Sequence, residues 1–288
     1  MKYTNLSLPS LFISTGLLMA SVFSFPARTE TIDCTAITTL PYTITTQGVY
    51  CLTGNLSTSI ASGNAITINA NNVTLDLNGW RLGGLAAGRM TDAYGVSAFA
   101  RKNVTVKNGT TRGFRRGVSL GGVGPCDVPQ GYLVEDIRAE QNTRVGIHVC
   151  GRGSIVRRNQ VVEIGGDDTS QDDALGISIG GTGSQLTDNT IVTIMAAGSG
   201  FATGVYAAYF YGGFVKNNRI TNVGTTGSGT TYGIWHVSGS NALFVGNMVT
   251  NTGDYGFSFN HPPTKYMNNL TSDVSTAYSG GTAVGTND

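Results

Sequence analysis

Gly146-Ile147-His148-Val149, Gly176-Ile177-Ser178-Ile179 and Gly204-Val205-Tyr206-Ala207 are three copies of one phrase: a glycine, an apolar residue, a freely chosen residue, and a second apolar residue. Further copies begin at Gly95, Gly117, Gly233 and Gly256, so that successive glycines are 22, 29, 30, 28, 29 and 23 residues apart. Within each phrase the period is two, which is the period of a strand with opposite faces in different surroundings. One face therefore carries Val96 and Ala98, Val118 and Leu120, Ile147 and Val149, Ile177 and Ile179, Val205 and Ala207, Ile234 and His236, and Phe257 and Phe259. The other carries a single line: Ser97, Ser119, His148, Ser178, Tyr206, Trp235 and Ser258.

A second short strand follows each phrase and ends in an amide or an acid. Asn78, Asn108, Asp136, Asn159, Asn189, Asn218, Asn247 and Asn268 recur at nearly the same place, allowing a slip of one residue. Stacked asparagines bond to one another and to turn backbone, so this ladder reads as structural. A unit of this length with two or three short strands cannot bury its faces alone, and stacking of successive units solves that. Parallel pairing at ~4.8 Å per coil gives a rod of roughly 35 Å from seven or eight coils.

These residues carry a resemblance. The stretch NNVTLDLNGWRLGG (71–84), its echo KNVTVKNGTTRGF (102–114) and the later glycine phrases resemble the right-handed parallel β-helix repeat proteins of the pectate-lyase-like superfamily. The resemblance covers residues 65–261 and implies an all-β, single-stranded solenoid. It is specific for fold and not for activity, because that superfamily includes polysaccharide lyases, glycosidases, esterases, epimerases, tailspikes and proteins without known catalysis. The Gly-His-Gly and Arg-Ile-Lys segments of polygalacturonases are absent, as are the Asp-Pro-His signature of mannuronan epimerases and the pectate-lyase arginine signature.

The rest of the composition agrees. Glycine supplies 41 of 288 residues, only 12% are charged, and the net charge is +1, a balance that excludes a polyelectrolyte of the nucleic-acid-binding kind and favours turns and strands. Residues 1–27 read as a secretory signal: Lys2 precedes a mostly apolar run from Leu11 to Phe23, too short to span a bilayer, with removal expected after Ser24 or Ala27. The mature chain is then expected in the periplasm, at the cell surface or outside the cell, without a transmembrane anchor. Residues 28–64 are expected to form an N-terminal cap, and 262–288 a C-terminal cap or tail, with end-to-end association open if that end is loosely covered. Export makes Cys34, Cys51, Cys126 and Cys150 disulfide candidates. Three pairings exist, of which the local ones, Cys34 with Cys51 and Cys126 with Cys150, are expected; no CxxC spacing favours a metal instead.

The outward line is where function is expected. Serines around one imidazole, followed by Tyr206 and Trp235, offer hydrogen bonds beside aromatic rings, which suits a saccharide. The alternative is that Tyr206 and Trp235 are covered by the insertion carrying Tyr209, Phe210 and Tyr211. His148 is the leading candidate for proton transfer through its ordinary pKa near ~6.5, against an inert surface histidine. Between Arg101 and Arg158 there are eleven Lys or Arg and four acids, and Arg144, Arg115 and Arg116 lie just before ladder strands, so basic groups are expected along the approach. Arg138, Arg152, Arg157 and Arg158 are expected on other faces. Asp167, Asp168, Asp172 and Asp173 admit three readings: a Ca2+ site, an acid/base pair, or a solvated loop.

Two functions follow. The first is a lyase or epimerase acting on an acidic, uronate polysaccharide: Arg144 or a metal neutralises the carboxylate, and His148 or Tyr206 takes the adjacent proton, with Ser119, Ser178, Trp235, Arg115 and Arg116 binding the chain. The second is a non-catalytic surface, matrix or polysaccharide-binding β-helix.

Overall fold

The computed structural model of the protein describes residues 33–122, 126–128, 131–165 and 173–288; the expected signal segment and Asp167, Asp168 and Asp172 lie outside them. Every strand pairing among the described residues is parallel and joins one coil to the next. Three stacks result, enclosing one continuous apolar core. The chain is a right-handed parallel β-helix, the hand that parallel crossover connections favour.

The first stack contains the glycine phrases. Its rungs are Tyr42–Ile44, Asn64–Ile68, Tyr94–Phe99, Arg116–Gly121, Val145–Cys150, Ala174–Gly180, Ala202–Ala207, Thr231–His236, and the C-terminal parts of Met248–Phe259 and Leu270–Gly280. The two apolar positions of each phrase are at most 4% exposed, so the period of two did sort the faces. The glycine has a separate reason. A Cβ on Gly176 would lie 2.5 Å from the Gly204 carbonyl oxygen, and one on Gly204 would lie 2.6 Å from that of Gly233. Coil-to-coil approach at this column leaves no room for a side chain.

The asparagine signal resolves into two adjacent columns. Asn108, Asp136, Arg158, Asp188, Asn217 and Asn268 occupy the left-handed region, with φ between 54° and 58°, and turn the chain at a corner. One residue later, Asn159, Asn189, Asn218, Asn247 and Asn269 form the buried ladder; from Asn189 onward each accepts on Oδ1 from the backbone N–H and Nδ2 of the preceding member at 2.9–3.1 Å, and Asn159 Oδ1 accepts from the Ile137 N–H. Asn268 and Asn108 therefore belong to the corner, and Asn269 takes the ladder position, from which Asn287 Oδ1 accepts in the same way. The slip arises because both jobs, a left-handed backbone and a satisfied buried amide, favour the same residue type.

The stack extends beyond 65–261 on both sides. Lys265–Met267, Leu270–Gly280 and Thr282–Ala283 add to preceding coils where a cap or tail was expected, and Tyr266 and Tyr278 continue the inward aromatic column. The last coil lacks the glycine phrase because Ala277 stands where the phrase has its glycine, before Tyr278 opposite Phe257. Both expected disulfides are present: Cys34 with Cys51 ties the first described coil to the next, and Cys126 with Cys150 closes the loop beside the first stack.

Candidate functional site

The outward line is in register from end to end. Ser97 pairs with Ser119, Ser119 with His148, His148 with Ser178, Ser178 with Tyr206, Tyr206 with Trp235, and Trp235 with Ser258. A second column, formed by the residue before each glycine, runs beside it: Tyr94, Arg116, Val145, Leu175, Thr203, Tyr232 and Tyr255. Strict alternation would send these residues inward. The glycine bends the strand and breaks the alternation, so Arg116 instead lies over the Tyr94 ring, 5.2 Å from its centroid.

Between the two columns lies a depression of about 300 Å3. Val145 and Leu175 supply its apolar part, His148 and Ser178 its neutral polar part, Arg116, Arg144 and Asp173 its charges, and Phe201, Tyr206 and Trp235 its aromatic wall. Seven residues singled out in the sequence thus converge: His148, Arg144, Tyr206, Ser178, Trp235, Arg116 and Asp173. Ser119 sits alongside, its Oγ 3.4 Å from Arg116 Nη1. Arg115 does not join them; it turns to the coil below and pairs with Asp92. The sequence left out Val145, Leu175, Phe201 and Tyr232, and the signal for three of them was their place immediately before a glycine.

The aromatic wall differs from the expected platform. Tyr232 stacks on Trp235 with centroids 4.3 Å apart and on Tyr255 at 5.3 Å, while Phe201 and Tyr206 meet Trp235 edge-on at 5.5 Å. Trp235 is therefore covered, but not by the Tyr209–Tyr211 insertion: Phe210 is fully buried against His236 and Phe244, and Tyr209 and Tyr211 remain exposed. The rings form a standing wall, because one Trp235 face is already taken by Tyr232.

Electrostatics separate the candidates. Burial, helped by the neighbouring Arg116 charge, pushes the His148 imidazole down to about 3, so it is neutral at physiological pH and not the near-neutral proton exchanger expected from its ordinary value. Its Nδ1 is 3.1 Å from Ser178 Oγ. The Tyr206 phenol is raised, first by burial and then by Asp173 and Tyr209, and stays protonated. His236 points inward, shares a 2.9 Å hydrogen bond with Thr264 Oγ1, and is pushed down to about 4 by burial.

Asp173, the one described member of the acidic loop for which a Ca2+ site, an acid/base pair and a solvated loop were the readings, has these protein partners: Oδ1 accepts from the Phe201 N–H at 3.0 Å, and Oδ2 is 3.8 Å from Arg144 Nη2. Among the described residues there is no group of three or more metal-ligating side chains. Most of the basic residues between 101 and 158 are neutralised locally: Lys107 by Asp76, Arg112 and Arg138 by Glu140, Arg152 by Asp127, and Arg157 and Arg158 by Glu135 and Asp136. Arg116 is different. Among the described residues it has no carboxylate partner, its Nε is buried without a hydrogen bond, and burial, opposed by Tyr94 and reinforced by Arg144 and Arg115, lowers its pKa.

No protein-family model matches the sequence, and no curated protein is detectably similar to it. Solved structures are similar in shape. The Dettilon tailspike protein superposes with a TM-score of 0.52 at 13% identity, over 82% of this chain and 54% of that one. PfbA, a surface adhesin of Streptococcus pneumoniae, gives 0.47 at 10% identity over 81% and 68%, and a tailspike of E. coli bacteriophage HK620 in complex with a pentasaccharide gives 0.43 at 10% over 85% and 52%. The chain spans about half the length of the Dettilon tailspike. The chain is a right-handed parallel β-helix repeat protein, and that fold is what it shares with the tailspike.

Proposed function

We propose that the depression on the first stack binds an acidic saccharide, with a uronate carboxylate on Arg116 and the sugar ring against Leu175, Val145 and the edge of the Tyr206–Trp235 wall. The observation that carries this reading is the half-buried Arg116 guanidinium without a carboxylate partner among the described residues. A desolvated cation is costly unless paired, and a planar carboxylate accepts two parallel N–H bonds from it. Arg144 adds a second positive charge, and Ser119, His148 and Ser178 offer neutral hydrogen-bonding groups for hydroxyls. The two disulfides suit an exported protein working on polysaccharide outside the cell.

Binding without turnover is the form the electrostatics favour, since His148 and Tyr206 are both held neutral and neither is a strong base near neutrality. The lyase or epimerase reading rests on one specific observation: the depression brings His148 and Tyr206 together with two arginines. A bound carboxylate would offset the Arg116 charge and make His148 more basic.

Immobilised alginate, pectate and glycosaminoglycans, compared with neutral dextran, test the proposal. Retention on a uronate polymer, weakened about tenfold by Arg116→Gln, is the expected outcome. Equal retention on dextran, or an unaffected Arg116→Gln variant, overturns it. Appearance of unsaturated uronate absorbance, or a changed uronate composition without cleavage, would select the catalytic form.

A further inference from the structure

The depression has a neighbour. A second one, of about 290 Å3, shares Arg116, His148, Ser178 and Tyr206 with it and continues toward Gly180, Ala208 and the Cys126–Cys150 disulfide. In the strands of the first stack, Leu175 precedes Ser178, which precedes Gly180, so the two depressions follow one another along the strand direction and not along the helix axis. The axial directions are obstructed on both sides. Toward the C-terminal coils stand Trp235 and Phe201, with Tyr232 and Tyr255 stacked behind. Toward the N-terminal coils the Arg116 side chain lies over Tyr94 and reaches Ser119.

We infer that the bound saccharide lies transverse to the helix axis, with its uronate in the first depression between Arg116 and Arg144 and a following sugar in the second depression beside Gly180 and Ala208. This rests on the acidic-saccharide reading of the site and adds to it a second subsite, an orientation and a minimum length of two residues. Gly180 makes that subsite's floor possible by letting the disulfide and the next coil close in: a Cβ there would meet the Ala208 carbonyl oxygen at 2.4 Å and Cys126 Sγ at 2.7 Å. Tyr209 lines the same side and is 43% exposed, which leaves its ring free for the sugar.

The test compares galacturonate and mannuronate, each as monomer and trimer, by calorimetric titration of the full chain. Ala208→Tyr fills the second depression, and Tyr209→Ala removes its wall without adding bulk; thermal unfolding establishes that each variant is folded. Ser97→Tyr places equal bulk on the outward line, two rungs from His148, where an axial chain would pass. The expected result is that the trimer binds more tightly than the monomer, that Ala208→Tyr and Tyr209→Ala each weaken the trimer by about tenfold or more while changing the monomer by less than about twofold, and that Ser97→Tyr changes neither. Loss of trimer binding in Ser97→Tyr with retention in Ala208→Tyr overturns the transverse path, as does a trimer that binds no better than the monomer. Absence of binding by either monomer or trimer, or binding indifferent to Arg116→Gln, removes the acidic-saccharide reading itself, an outcome separable from the others because it needs no second subsite.

Discussion

Asp173 Oδ1 accepts a hydrogen bond from the Phe201 backbone N–H at 3.0 Å, holding the loop that sets the Phe201 ring against Trp235. The same carboxylate faces Arg144, so one side chain connects the cationic and aromatic sides of the depression. Asp173→Ala should release Phe201 and wet the exposed edge of Trp235. A red-shifted tryptophan emission with increased iodide quenching, at a stability cost of about 1 kcal/mol, is expected; an unchanged spectrum would show that the loop is held by other contacts.

Glycine at the phrase start should be irreplaceable. Gly204→Ala drives a Cβ to 2.4 Å from Ile220 Cγ2 and 2.6 Å from the Gly233 carbonyl oxygen, and neither the carbonyl nor the packed isoleucine yields easily. Its cost should be about 3 kcal/mol by urea unfolding. Gly54→Ala, whose Cβ meets nothing within 4 Å, should be neutral within ~0.5 kcal/mol.

Asn218 is the middle of the buried ladder. Its Nδ2 donates to the Leu186 and Lys216 carbonyls and to Asn247 Oδ1, and its Oδ1 accepts from the backbone and side chain of Asn189. Asn218→Ala leaves those groups buried and unpaired and should destabilise by about 2–4 kcal/mol. Asn217→Ala, one residue earlier at the corner, loses left-handed tolerance instead and should cost about 1 kcal/mol. Unfolding midpoints of the two variants measure the difference between the columns.

Acid should weaken the fold through its histidines. His148 and His236 have folded pKa values of about 3 and about 4, both below the ordinary 6.5, so the unfolded chain binds protons that the native state excludes. Their contribution is complete above 6.5 and is lost as pH falls through that value toward 4 and then 3. His148→Gln should flatten the slope of unfolding free energy against pH in this window. A variant with the wild-type slope would place the acid sensitivity elsewhere.

Much of this was written in the chain itself. Period-two alternation assigned Ile147, Ile177 and Val205 to the core and His148, Ser178 and Tyr206 to one outward line, because side-chain direction in a strand depends only on local backbone. The cysteine pairs followed from separations of 17 and 24 residues. The asparagine columns were legible as a class but not as two functions, since a corner and a ladder one residue apart both select asparagine.

What the sequence determined by itself was therefore periodic: the coil, its inside and outside, and the register of the outward line. Only the tertiary structure decided which outward residues form a site. Arg116 and Arg115 are adjacent in sequence, yet one faces the depression and the other pairs with Asp92. Phe201, outside any phrase, reaches Trp235 across the coil, and the environment of His148 lowers a pKa that its identity alone left at the ordinary value. Direction along a strand is a local property; burial, charge pairing and ring contacts depend on which coils come to lie next to one another.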